Sequence, residues 1–166
     1  DASSTANDKT AMQAEYNALG QELYNVMTNT TFGGTKLLGD GSAATAGTLS
    51  ASMTFQIGAS STEKMSFDVS GNLTSLNAAL TGLSTNFAAA ASTGATELTA
   101  TANATIGKLA AAIDSVSTVR SALGATANRL DHVNTNLSNI ATNTKAATGR
   151  IMDTDFATES SNMTSS

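Results

Sequence analysis

The fold class this 166-residue sequence predicts is mainly α: an elongated rod of antiparallel long helices with a β-hairpin and a short third helical segment. Three observations carry that prediction. Apolar residues keep a three-four step over long stretches at both ends of the chain. A glycine-punctuated middle switches to strict alternation. Aromatics make up only 4% of residues, too little ring area for a thick globular core.

The first helix is read from the stripe Met12, Tyr16, Leu19, Leu23 and Val26, which is heptad-like. Asn7 or Asp8 is its expected N-cap, with the acidic side chain near the positive helix end. It should end near Asn29 to Thr31, before Phe32-Gly33-Gly34. The segments "MTFQIGA" (53–59) and "KMSFDVSG" (64–71) alternate apolar and polar residues and are joined by turn-like "SSTE", so they predict a hairpin. Helical spacing returns over 73–91 with Leu73, Leu76, Leu80, Leu83 and Phe87, and 92–97 read as a loop.

A third helix should begin around Thr99 to Ala104, with Ile106, Leu109, Ile113, Val116 and Val119 in step. "STVRSALGATANRLDHVNTNLSNI" (117–140) continues the beat through Leu123, Leu130, Val133, Leu137 and Ile140. A helix over 101–150 would run on the order of 75 Å at ~1.5 Å per residue. A compact domain of this length is about 35–40 Å across, so the molecule is expected to be elongated. Gly107, Gly124 and Gly149 each weaken the helix by about 0.5–1 kcal/mol relative to alanine, and close approach of another helix is the expected compensation. The organisation read here is one elongated domain: a first helix and turn over 1–38, hairpin and short helical segment over 39–100, and the long helix over 101–166.

Composition excludes several function classes. With no cysteine there are no disulfides, thiolate metal sites or thiol nucleophiles. A net charge of −5 without any Lys/Arg cluster lacks the footprint of a nucleic-acid binder. No apolar run of about 18 residues is present, so no membrane span is expected. The opening DASST is polar, and no signal segment is expected there.

Four segments, in order, resemble bacterial flagellins. "AMQAEYNALGQELYNVMTNTTFGGTKLL" (11–38) is similar to the family's Q-x-E helix followed by T-x-[FY]-[NG]-G-x-[KL]-L, and "FQIGA" (55–59) to its "QVGA" strand. "AIDSVSTVRSALGATANRLDHVNTNLSN" (112–139) resembles the A-I-x-x-[IV]-x-x-x-R-[AS]-x-L-G-A-x-x-N-R-[LF] helix, and "GRIMDTDFATESSNM" (149–163) the [SG]-R-I-x-D-[AST]-D-[FY]-A-x-E ending. Residues 73–105 match nothing diagnostic. The resemblance implies a trimmed subunit: the outer core of a flagellin with a very small variable part and without the terminal helices that bundle at the filament centre.

By that resemblance the chain is a structural, non-enzymatic, cofactor-free subunit of the secreted, extracellular filament that serves motility. It would assemble with other flagellin subunits through helix faces, a homopolymer when full length. The packing positions implied are Leu19, Leu23, Val26, Arg120, Leu123, Asn128, Arg129, Leu130 and Leu137. Host Toll-like receptor recognition of the family uses the first helix, and the Glu of Q-x-E is Glu15 here. A hook–filament junction protein shares the terminal motifs, but the "GATANR" wording favours flagellin. A polysaccharide-binding adhesin would need an aromatic platform, and the aromatics here do not cluster.

The remaining chemistry is thin. His132 is the sole histidine and reads as an exposed helical residue. Asp153, Asp155 and Glu159 read as a solvated face rather than a metal site. "FGGT" (32–35) and "GDGS" (39–42) lack a phosphate-loop frame and are turn chemistry. The Ser/Thr-rich stretches 42–66 and 84–105 could accept O-glycans on an exported filament. Lacking the central bundle, Val133, Leu137, Ile140 and Ile151 would face weak lateral contacts, so the segment alone is expected to be monomeric and unable to polymerise.

Overall fold

The computed structural model describes residues 3–40, 42 and 46–165. In order it contains helix α1 (Ala6–Asn29), strands β1 (Thr31–Phe32) and β2 (Thr35–Lys36), and a 3-10 turn at Thr48–Ser50. Strands β3 (Met53–Gln56) and β4 (Lys64–Phe67), helix α2 (Ser70–Leu83) and helix α3 (Ala102–Ser165) follow. The fold is mainly α, with helices of 24, 14 and 64 residues and two small hairpins, β1–β2 and β3–β4. Two units divide the chain: Asp1–Phe55 with Ser66–Gly124, and Gln56–Met65 with Ala125–Ser166.

In the first unit, α1 is capped two or three residues earlier than the sequence suggests. Thr5, not Asn7 or Asp8, is the N-cap. Its hydroxyl accepts from the Asp8 backbone N–H at 3.2 Å, and the Asp8 carboxylate accepts from the Thr5 N–H at 3.0 Å. Asp8 is therefore the third-position partner of a reciprocal capping box, which satisfies two otherwise orphaned donors. The exposed Asp8 carboxyl is held below its ordinary pKa by Thr5, first by its hydroxyl and then by its N–H.

After α1 the chain reverses through Gly33 (φ 59°) and Gly34 (φ 83°), with Thr31 opposite Lys36 and Phe32 opposite Thr35. Two successive left-handed residues make the tight turn whose twist matches a two-residue hairpin, and glycine adopts that backbone without strain. FGGT is thus turn chemistry, as its composition implies; the two-residue strands flanking it were not foreseen. Of the other glycine pair, GDGS, Gly41 lies outside the described residues.

The β3–β4 hairpin matches its alternation. Met53 and Phe55 are half-buried, Met65 and Phe67 buried, and the residues between them exposed. Helix α2 then starts at Ser70, three residues before the expected position, because Asp68 accepts from both the N–H and the hydroxyl of Ser70 at 2.9 and 2.7 Å. It ends at Leu83, well short of residue 91. There the Ser84 hydroxyl accepts the Asn86 N–H and the Asn86 carboxamide accepts the Ser92 N–H, at 3.2 and 2.8 Å. Side chains of this kind compete with the helical ladder for backbone donors.

The core of this unit is built on Leu73, Leu76, Leu80 and Leu83 of α2, with Phe67, Val69, Phe87, Met27, Ala112 and Val119. The two long helices contribute little bulk to it. α1 buries Gln13, Gly20, Met27 and Thr28. α3 buries Thr105, Ala112 and Val119 here. Gln13, Gly20 and Met27 on α1, and Thr105, Ala112 and Val119 on α3, repeat every seven residues, so each of these sets lies along one helix face. The sequence stripe of α1 lies elsewhere: Met12, Leu19, Leu23 and Val26 are exposed, and only Tyr16 reaches the core edge. At about 100° per residue the exposed and buried sets are rotated by roughly 60–120° around the helix axis.

Gly107 and Gly124 were expected to admit a neighbouring helix, as was Gly149 in the second unit. Nothing among the described residues approaches within 4 Å of a Cβ placed at any of them. The close approach occurs at Gly20, where a Cβ would lie 2.5 Å from the Ser84 Oγ and 3.2 Å from the Asn86 carbonyl carbon.

In the second unit, the hairpin end is closed by Ile57 N–H donating to the Glu63 carbonyl at 2.9 Å and Ser60 N–H donating to the Glu63 carboxylate at 2.7 Å. Its share of α3 buries Thr126 and half-buries Leu130, Val133 and Leu137; every described residue from Ser138 onward is exposed. Along this stretch, threonine hydroxyls at 142, 148, 154, 158 and 164 donate to carbonyls four residues back.

Candidate assembly surface and its internal clasp

The segment between α2 and α3, which sequence motifs leave blank, is fastened by a polar clasp on α1. Gln13 is buried and lies seven residues before Gly20 on the inner face. Its amide donates to the Glu97 carboxylate at 2.9 Å and to Asn17 at 2.8 Å, and its carbonyl oxygen accepts from the Leu98 N–H at 2.7 Å. The other Glu97 oxygen accepts from the Thr85 N–H at 2.8 Å and from the Thr85 hydroxyl. The Glu97 carbonyl accepts from Thr105 at 2.9 Å, joining the clasp to the first turn of α3.

A carboxylate only 8% exposed is expensive unless its lone pairs are filled. Burial alone pushes the Glu97 carboxyl up. The hydrogen bonds from the Thr85 hydroxyl and N–H, with that from Gln13, outweigh burial and hold it below its ordinary range. Two tyrosines continue the clasp along α1. Tyr16 donates to the Leu83 carbonyl at 2.9 Å, and its pKa is raised by burial and then by the Glu97 charge. Tyr24 donates to Asp40 at 3.0 Å, a bond that raises its pKa, and meets Phe87 edge-on with ring centroids 5.6 Å apart. Sequence reading missed Gln13, Glu97, Thr85 and Gly20 because their partners lie outside any helical or strand period, 84 residues away for Gln13 and Glu97 and 12 for Glu97 and Thr85.

With its inner face occupied in this way, α1 presents Met12, Leu19, Leu23 and Val26 outward at 42–58% exposure. α3 presents Ile106, Leu109, Ile113 and Val116 at 40–67%. The residues singled out from sequence distribute as follows. In the first unit Leu19, Leu23 and Val26 are exposed, as is Arg120, while Leu123 is half-buried against the core. In the second unit Asn128 and Arg129 are exposed, and Leu130 and Leu137 half-buried. Glu15 is exposed, so the Q-x-E triplet is split, with its glutamine inside and its glutamate outside. Val133 is half-buried, and Ile140 and Ile151 are exposed.

His132, Asp153, Asp155 and Glu159 are all exposed on α3. Among the described residues no group of three or more His, Cys, Asp or Glu side chains could hold a metal ion. No described helix is long and apolar enough to cross a membrane.

The described residues are mainly helical and turn an aliphatic stripe outward on α1 and another on the first-unit part of α3. Residues 106–166 match the family model of the bacterial flagellin C-terminal helical region. The chain is 33% identical to flagellin of Bacillus subtilis (strain 168) over 96% of its own length and 56% of that relative's. It is 49% identical to flagellin A of Vibrio anguillarum over 59 residues, 36% of this chain and 16% of that one. A 56-residue stretch is 50% identical to flagellin of Salmonella typhimurium, covering 34% of this chain and 11% of the relative. The chain thus spans about half of the Bacillus relative and far less of the others. No solved structure matches. The chain is thus similar to flagellins along nearly all of its length, and its residues 106–166 carry the flagellin C-terminal helical region.

Proposed function

We propose that this chain is the outer-core part of a flagellar filament subunit, non-enzymatic, extracellular and joined to other flagellin subunits through helix faces. The observation that carries this reading is the outward placement of the large aliphatic residues of α1 and α3 over an interior already filled by Gln13, Gly20, Ala112 and Val119. An isolated exposed leucine needs no explanation, but two helices that each turn four large aliphatics to solvent form a surface suited to partners. Leu19, Leu23 and Val26 are its α1 residues. Arg120, Leu123, Asn128, Arg129, Leu130 and Leu137 are the α3 residues assigned to helix or subunit packing.

The same reading treats 1–38, 39–100 and 101–166 as successive parts of one elongated domain, and the 166-residue segment as a monomer at micromolar concentration. Interfaces this poor in aromatics and this rich in Ser, Thr and Asn have few of the Trp, Tyr or Arg anchors that dominate binding energy. The net charge of −5 adds repulsion at low salt. Sedimentation velocity tests both statements. The full-length protein should form filaments, and the segment should sediment as a monomer even when seeded with them. Failure of the full-length protein to polymerise would overturn the filament reading, and fibres formed by the segment alone would overturn the monomer.

We also assign Glu15 to recognition by a host Toll-like receptor, supported by its exposure on α1 and by the strength of charge-assisted hydrogen bonds. In a full-length version that binds the receptor, Glu15→Ala should weaken binding at least tenfold. Unchanged binding would remove the assignment.

A further inference from the structure

We propose that Gln13 and Glu97 are positioning residues: their clasp fixes the rotation of α1 about its own axis and so selects which α1 face reaches solvent. The inference goes beyond the filament reading, and its test on unassembled protein can fail while that reading stands.

Hydrophobic burial by itself does not select the observed rotation. Of the large aliphatic side chains of α1, only Met27 lies on the buried face, while Met12, Leu19, Leu23 and Val26 are 42–58% exposed. Turned by about 100°, the angle between successive helical residues, α1 would set that stripe against the α2 leucines in place of Gln13 and Gly20. Burial of apolar surface is non-directional and scales with area, so it does not hold the less aliphatic face inward. Directional contacts do. Tyr16 and Tyr24 supply two at the edges of the buried face, to the Leu83 carbonyl and to Asp40, and the clasp supplies the charged one.

Gln13 is 5% exposed, and both ends of its amide are committed, the nitrogen to Glu97 and Asn17 and the oxygen to the Leu98 N–H. Its charged partner is rooted elsewhere: the Glu97 carboxylate also accepts from the Thr85 N–H beyond α2, and the Glu97 carbonyl accepts from Thr105 on α3. Turning α1 would withdraw the Gln13 amide from a buried carboxylate oxygen, and hydrogen bonds to ionised groups are the strong ones. Seven residues on, Gly20 enforces the same choice sterically. A Cβ there would lie 2.5 Å from the Ser84 Oγ, so neither Leu19 nor Gln21 turns into its place without displacing that segment. A single buried polar residue specifies the register of a helical interface in the same manner, at a cost in stability.

The described chain has no cysteine, so one introduced thiol reports on one position. In the unassembled full-length protein, Leu19→Cys places a thiol on the outward face and Met27→Cys places one on the buried face. With the clasp intact, maleimide should label the first at least tenfold faster than the second. Removing the clasp by Gln13→Met with Glu97→Met should slow the Leu19→Cys thiol at least threefold and speed the Met27→Cys thiol at least tenfold. The swapped pair Gln13→Glu with Glu97→Gln exchanges donor for acceptor and should return both rates to within twofold of the intact clasp. Opposite changes mark a rotation, because loosening of the fold speeds both thiols together. Two rates unchanged within twofold, or two rates that rise together in a variant keeping its helical circular dichroism, would overturn the proposal. Should the double variant lose its helices, Gln13→Met alone, which leaves Glu97 its Thr85 bonds, is read by the same two rates.

Discussion

Helices α1 and α2 carry apolar stripes of nearly the same spacing and use them in opposite ways. In α2, Leu73, Leu76, Leu80 and Leu83 are 2–5% exposed and form the centre of the core. In α1, Met12, Leu19, Leu23 and Val26 are 42–58% exposed, and the buried face is Gln13, Gly20 and Met27. The spacing of a stripe establishes that a helix has a face. It does not establish that the face is turned inward. What decides is whether a neighbour in the same chain is built to meet it. α2 is met by Phe67, Phe87 and Val69, whereas the inner face of α1 is claimed by Glu97, Ser84 and Asn86.

This contrast predicts a ladder of substitution effects, each read as unfolding free energy of the segment by denaturant titration. Leu80→Ala in α2 removes a fully enclosed side chain and should cost about 2–5 kcal/mol. A loss under about 1 kcal/mol would mean the α2 leucines are not the core. Next in size, Glu97→Ala removes the acceptor of the Thr85 N–H and one of the two acceptors of the buried Gln13 amide, a loss of about 1–3 kcal/mol.

The clasp also carries a pH signature. The folded Glu97 carboxyl lies below the ordinary glutamate value of 4.5, so its contribution is fully present above that pH. It is lost as pH falls below 4.5 and through the folded value. Glu97→Gln should flatten this part of the stability–pH curve, and an unaltered curve would show that the carboxylate is not held as described. Smaller again, Thr5→Ala removes the cap of α1 at a loss of about 0.5–2 kcal/mol. At the bottom of the ladder the sign reverses: Gly107→Ala has open space and should stabilise by about 0.5–1 kcal/mol. Its counterpart on the inner face, Gly20→Leu, meets Ser84 and Asn86 and should destabilise by about 1–3 kcal/mol, level with the Glu97 step. Equal effects at the two glycines would erase the distinction between inner and outer faces.

The sequence exposes those parts of the fold whose signals are local. The α2 leucines, the β3–β4 alternation and the C-terminal end of α1 are visible because each depends on neighbours a few residues away. The errors have equally physical origins. Phe87 keeps helical register with Leu83, yet Ser84 and Asn86 divert the backbone donors and the ring reaches the core from an irregular segment. Asp8 looks like a cap because it is acidic and early, but Thr5 three residues before it completes the reciprocal box. The clasp is the least visible part. Gln13 and Glu97 are 84 residues apart, and nothing in either local pattern shows that the other exists. The outward residues of the candidate surface could be listed from sequence, but their outward direction could not.

The central claim is that the aliphatic face of α1 serves other subunits rather than the fold of its own chain. Leu19→Ser combined with Leu23→Ser in the full-length protein tests it most directly, with thermal unfolding of the monomer and critical concentration for assembly measured on the same preparation. The account predicts monomer stability within about 1 kcal/mol of wild type, two exposed sites at roughly 0.5 kcal/mol each, together with at least a tenfold rise in the critical concentration. A monomer destabilised by several kcal/mol, or filaments forming at the wild-type concentration, would contradict it.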